Sequence, residues 1–319
     1  MMFRTLGSAI LCSLSAAVCS FAAADNGLLS LVPDNSPFVV GIDILASRSS
    51  DLGRYLTNRF SGDAKGFEQL TAETGFDPRR DLASVVFAGT PAIAGSQYSS
   101  GLVLARGVFD QNKIRSAALA KGAVVQSVSG VDFYVQRGAQ SKHAFAFLAN
   151  DVFATGSLSE LRHAVANRLT PATLDPQLNQ LISRVASDND VWFASTLPLS
   201  RFTSHLHPDL DQSVGDSQTL QAVSAASGGL RFGSSVQLTL DAVARSDKDA
   251  SALADVLRFV ATLLEANGQS DNNDALLASA LNQMLVSASG PNVHLSLSIP
   301  EATLEQLAEI RPQRHGTAH

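Results

Sequence analysis

The residues best placed to do chemistry are His205, His207, Asp209 and Asp211, in the run His205-Leu206-His207-Pro208-Asp209-Leu210-Asp211. In an extended segment alternate side chains share one side. Two imidazoles and two carboxylates would then converge, a donor set suited to zinc or another divalent ion. Pro208 interrupts a regular strand, and Asp and Pro are ordinary loop residues, so a solvated loop is the competing reading. A calcium loop is excluded, because Gly215 is out of register and Leu220 stands where the closing acid belongs.

Nucleophilic catalysis finds little support. His143, His163 and His294 could serve a serine, yet there is no G-x-S-x-G elbow and no S-x-x-K sequence. Phosphate-binding loops of the G-x-x-x-x-G-K and G-x-G-x-x-G kinds are missing too. With 16 Phe against 1 Trp and 3 Tyr, the aromatic content suits a core or an apolar groove rather than a sugar platform. A net charge of −6 in 319 residues, without a basic run, argues against nucleic acid as a partner. The chain therefore reads as non-catalytic and without a cofactor. A hydrolase ranks third, behind a binding or structural module and a carrier of an apolar ligand or lipid.

Location is more legible. Arg4, the apolar stretch Leu6–Val18 and the small residues Ala22-Ala23-Ala24 before Asp25 follow the order of a secretory signal peptide. Cleavage is expected near Ala24, giving a periplasmic or secreted protein. Both cysteines, Cys12 and Cys19, lie in the leader, so the mature chain would lack thiols. Leu11 and Val18 precede them, where a lipidation site wants a small residue. No later stretch has the apolar length of a transmembrane helix, so an envelope protein or an apolar small molecule is the expected partner.

The elements that must position any site follow from periodicity. Strands are expected at Phe38–Ile44, Leu82–Ala88, Gly101–Val108, Val124–Val128, Val131–Val135 and Val191–Ser195, with Phe145–Thr155 a hairpin turning at Asn150-Asp151. Asp110 and the Ser157/Glu160 capping box start helices. Leu253, Val256, Leu257, Val260, Leu263 and Leu264 form an apolar helical stripe. Leu276 to Leu285 reads as another helix, residues 209–227 as a mobile helix, lid or connector, and Gly228-Gly229 as a turn. Val236–Val243 and Val293–Ile299 alternate with period two.

Paired strands with helices between the pairs predict an α+β fold, mostly antiparallel sheets with helices packed on one face. Phe38-Val39-Val40 matches Val191-Trp192-Phe193, strand-cap-helix 101–121 matches 235–257, and 152–168 matches 293–310. These correspondences predict two related repeats, 25–187 and 188–310, between the leader 1–24 and a polar tail 311–319.

The junction Gly75-Phe76-Asp77-Pro78-Arg79-Arg80-Asp81-Leu82 resembles the Gly-x-Asp-x-x-x-Asp-Leu helix-to-strand junction of uncharacterised exported bacterial proteins of unknown function. Val32-Pro33-Asp34 before a strand and Val103-Leu104-Ala105-Arg106-Gly107 are similar as well. The resemblance, stronger in the first half, implies a periplasmic or cell-surface location and brings no catalytic residue.

Overall fold

The computed structural model describes residues 25–50, 53–54, 64–90, 100–136, 143–171, 173–198, 218–267 and 281–304. Its two sides meet at the strand pair β1 (Phe38–Asp43) and β8 (Val191–Ser195), antiparallel with Val40 opposite Phe193. From β1 the sheet runs through β2 (Leu82–Thr90), β3 (Ser100–Gly107), β7 (Val152–Ser157), β6 (His143–Phe147) and β5 (Val131–Val135) to β4 (Val124–Val128). From β8 it runs through β9 (Val223–Arg231), β10 (Ser235–Ala244) and β12 (Asn292–Pro300) to β11 (Leu285–Ser289). The described residues thus form one antiparallel 12-stranded sheet, and the fold is α+β.

The two sides of the sheet repeat one wiring: centre, next, next, then the last strand before the second-last. Register makes the repeat specific. Phe38 occupies the place of Val191, Phe87 that of Gly228, Val103 that of Leu240 and Thr155 that of Leu295. The first side adds the β4–β5 hairpin. All three segment matches visible in the sequence fall on strands at equivalent positions.

Among the described residues, helices cover the sheet in two separate cores. On the front face, the side of Val39 and Trp192, α6 (Leu158–Leu169) and α7 (Pro176–Val185) bury Leu161, Val165, Leu178 and Ile182 against Val39, Leu102, Leu104, Phe133 and Ala154. Register places Ala242 and Val293 on the opposite, back face, and there α9 (Asp247–Asn267) packs Ala250, Leu253 and Ala254. Each core has its helices on one face, but the two cores use opposite faces. A register shift between Val243 and Ala244 lets Val223 join the second core.

Local chemistry sets the element ends. The capping box is formed: Glu160 N–H donates to Ser157 Oγ, and Ser157 N–H donates to Glu160 Oε2 at 2.9 Å. At the helix-to-strand junction Gly75 takes φ 74, and Asp77 caps the short α4 (Pro78–Asp81) by accepting from Arg79 N–H. That closes α3 (Ala64–Thr74) and starts β2.

Two expectations are corrected. Gly228 and Gly229 do not form a turn; they lie inside β9, which also takes in residues 223–227. A Cβ on Gly228 would stand 2.4 Å from Thr239 O, and one on Gly229 2.4 Å from the Asn189 side chain. The glycines permit close strand approach. Leu285 does not end a helix; it opens β11, which turns at Gly290-Pro291 (Gly290 at φ 56) into β12.

Candidate functional site

His205, His207, Asp209 and Asp211 lie outside the described residues. Among the described residues no group of three or more His, Cys, Asp or Glu side chains could hold a metal ion. His143 and His163 are exposed. His294 is drawn to Asp241 across the β10–β12 ladder, Nδ1 to Oδ1 at 2.8 Å, and Ser287 stands opposite His294 on β11. Serine, histidine and aspartate thus share one row on the front face. The row is open to water, with His294 and Asp241 side chains 48% and 39% exposed. The low-dielectric enclosure that strengthens catalytic electrostatics is missing from it. The pair arises from strand register, which the sequence did not reveal.

A second constellation lies beside α1 (Asn26–Leu29). Arg106 grips Asp25 through two hydrogen bonds, Nε to Oδ2 at 2.6 Å and Nη2 to Oδ1 at 3.0 Å, and also pairs with Asp151. Ser84 Oγ–H and Leu28 N–H donate to the same Asp25 carboxylate. Burial alone would raise the Asp25 pKa, but the bonds from Arg106 and Ser84 outweigh it and hold the group below its ordinary value. Beside it Asp25, Gly41, Asp43, Ser84, Asn189 and Trp192 line a hollow of ≈ 20 Å³. That is room for one water-sized molecule. The clasp is structural: it ties the start of the described chain to β2 and β3.

Close by, Asp190 is 7% exposed and accepts from Phe232 N–H at 2.7 Å. Burial, reinforced by nearby Asp43, raises its pKa. The folded state therefore binds this proton more tightly than the unfolded chain, and the group's contribution to stability falls as pH rises through its folded pKa. Asp190→Asn keeps an acceptor for Phe232 without the charge. The variant should melt higher than the parent at neutral pH, with the difference vanishing in acid; thermal melts across pH check this.

The larger feature is the back face of the central strands. Strands β1, β2, β3 and β8 are apolar on both sides, as Phe38-Val39-Val40, Val85-Val86-Phe87, Leu102-Val103-Leu104 and Val191-Trp192-Phe193 show. Their front-face members are sealed: Val39, Leu102 and Leu104 are 0% exposed and Val86 2%. Their back-face members, Phe38, Val40, Val85, Phe87, Val103, Val191 and Phe193, are only partly buried. Leu230, Leu238, Leu240 and Leu297 extend the strip through β9, β10 and β12, also partly buried.

Glycines shape this floor. The Phe87 ring lies over Gly101, where a Cβ would meet it at 2.3 Å, and the Phe193 ring leans over Gly228 at 3.1 Å. Phe38 sits between them, with ring centroids 6.2 Å from Phe87 and 6.4 Å from Phe193. At one end the strip passes into a cluster of Phe145, Phe147, Phe153 and Phe109, with the Arg115 guanidinium over Phe147 at 5.5 Å. At the other end stands α9. Among the described residues, the longer helices on this face lie at those two ends. The sequence showed the apolar strands without showing that both their faces needed cover.

Neither a protein-family model nor a curated protein sequence matches the chain. Its fold is similar to solved structures of TP0453. Crystal form III superposes with a TM-score of 0.52 at 10% identity, covering 88% of this chain and 96% of that one. Crystal form IV gives 0.50 at 10% identity, over 88% and 95%. At such identity the likeness is one of fold: the α+β arrangement built on a wide antiparallel sheet has been seen before.

Proposed function

We propose that the protein is an exported, non-catalytic binding module whose ligand is an apolar chain laid across the back face of its central strands. The observation that carries this reading is the two-sided apolarity of β1, β2, β3 and β8, sealed on the front and half-buried on the back. A strand that is apolar on both faces gains from cover on both. Rings lying over glycines make a low floor along which a flexible hydrocarbon can run, and few polar groups interrupt it. Export rests on the leader pattern before Asp25. Among the described residues no helix is long and apolar enough to cross a membrane.

The test is equilibrium binding of a fluorescent long-chain fatty acid to the purified protein, with mass spectrometry of lipid carried through purification from the native envelope. Phe193→Asp and Phe87→Asp place a charge on the floor and should each weaken binding by about tenfold or more, a loss of about 1.4 kcal/mol or more. Trp192 faces the opposite side of the sheet, so its fluorescence reports separately whether these variants fold. Folded variants that bind as tightly as the parent, or a parent that binds no acyl chain, would overturn the reading.

A further inference from the structure

Among the described residues the sheet ends in β11, whose sequence Leu285-Val286-Ser287-Ala288-Ser289 has no charge and no proline. Its ladder with β12 runs without a register shift. Leu285 is 70% exposed, and Ser287, Ala288 and Ser289 are exposed as well. Edge strands in natural proteins are usually guarded against strand addition by lysine, proline, a bulge or an inward charge. None of these devices is built into β11.

The backbone fixes where a new strand would bond. Ser289 and Asn292 close a two-residue turn, so alternation gives the ladder bonds to Ser289, Ser287 and Leu285 and turns the peptide groups of Val286 and Ala288 outward. The contact of Arg258 agrees: its Nη2 donates to Val286 O at 2.9 Å from the edge side, while Nη1 is bonded to Asp255. The outward groups at 286 and 288 are symmetric about Ser287. An antiparallel copy of the same strand therefore bonds Val286 to Ala288 of its mate and Ala288 to Val286, with the two Ser287 residues facing across the axis. The strand itself carries no charge, so its own side chains do not repel those of a copy, and the one charge at the edge, Arg258, is exposed and free to swing into water. The arrangement is isologous, and it closes.

We infer that two copies of this chain join edge to edge through β11, about a two-fold axis at Ser287, forming one continuous sheet. Pairing displaces the exposed Arg258 guanidinium from Val286 O and lays Leu285 beside Ser289 of the second copy. At the opposite edge of the described sheet, β4, the most exposed large apolar side chain is Val125 at 42%, against 70% for Leu285.

The experiment is light scattering on the full chain, with cysteine cross-linking in a Cys12→Ser, Cys19→Ser background. A dimer is expected at micromolar protein. Ser287→Cys should form an intermolecular disulfide under mild oxidation, whereas Gln126→Cys, in the middle of β4, should not. Ala288→Pro removes an outward donor and leaves the β12 ladder intact, so it should shift the protein to monomer with its far-ultraviolet spectrum unchanged. A monomeric parent, cross-linking through Gln126→Cys in place of Ser287→Cys, or a folded Ala288→Pro variant that stays dimeric would each overturn the inference.

Discussion

Gly41→Ala is expected to be among the most damaging single-methyl changes in this molecule. Gly41 pairs with Trp192 in the β1–β8 ladder, and the indole lies across it: a Cβ there would stand 2.2 Å from Trp192 Cε2 and 2.3 Å from Cζ2. Real side chains do not tolerate such separations, so either the ring or the strand must move. The ring is 4% exposed and belongs to the main core with Val39, Ala194 and Leu178. Overpacking a dense core costs about 1–3 kcal/mol and sometimes more. Here it strikes the strand pair that joins both sides of the sheet, so the upper end of that range, about 3 kcal/mol, is expected. Trp192 is the only tryptophan, which makes its emission a direct reporter. The variant should show a red-shifted spectrum and an earlier denaturation midpoint. An unchanged spectrum and midpoint would mean that the indole does not rest on Gly41.

The second large effect belongs to Arg106. Arg106→Met keeps much of the stem and removes the guanidinium, leaving Asp25 with only Ser84 Oγ and Leu28 N–H as partners. Breaking a fully buried pair from one side costs about 3–5 kcal/mol. The Arg106 and Asp25 side chains are 31% and 16% exposed, so solvent softens the loss to about 2 kcal/mol. The sign of the pH dependence follows from Asp25. Its pKa is depressed in the folded state, so its stabilising contribution is present above the unfolded carboxyl pKa and is lost as pH falls through the lower folded value. The parent should therefore lose stability in acid more steeply than Arg106→Met, and the two curves should converge at low pH. Coincident curves in urea melts between neutral and strongly acidic pH would show that the clasp contributes nothing, and parallel, offset curves that its contribution does not pass through the Asp25 charge.

Much of this architecture is written locally. Runs of β-branched and aromatic residues announced β1 and β8, alternation placed β10 and β12, and the Ser157/Glu160 pair announced the start of α6, because strand propensity, side-chain period and capping chemistry act within a few residues. What escaped was set by distant neighbours. The middle of β9, residues 224–229, is made of Ser, Ala and Gly, a composition that reads as connector, yet its glycines are needed because Phe193, Thr239 O and Asn189 occupy the space above them. β11 continues the leucine spacing of the preceding segment, and its identity depends on the Gly290-Pro291 turn and on pairing with β12. The Asp25–Arg106 clasp spans 81 positions and the His294–Asp241 pair 53, distances over which no local pattern extends. The apolar strip was visible as separate hydrophobic runs; only the strand order merged them into one surface.

The position of β1 has a consequence for the order in which the molecule assembles. One edge of β1 meets β2 soon after synthesis, whereas its other edge waits for β8, about one half of the chain later. A chain whose first half has condensed therefore passes through a stage in which Phe38–Asp43 is a bare, sticky rim at what will become the centre. Such late, non-local closure slows folding and exposes the intermediate to pairing with strangers. Emergence of Val191–Ser195 is the event that ends the hazard, and a nascent chain arrested short of that strand should aggregate more readily than one that includes it.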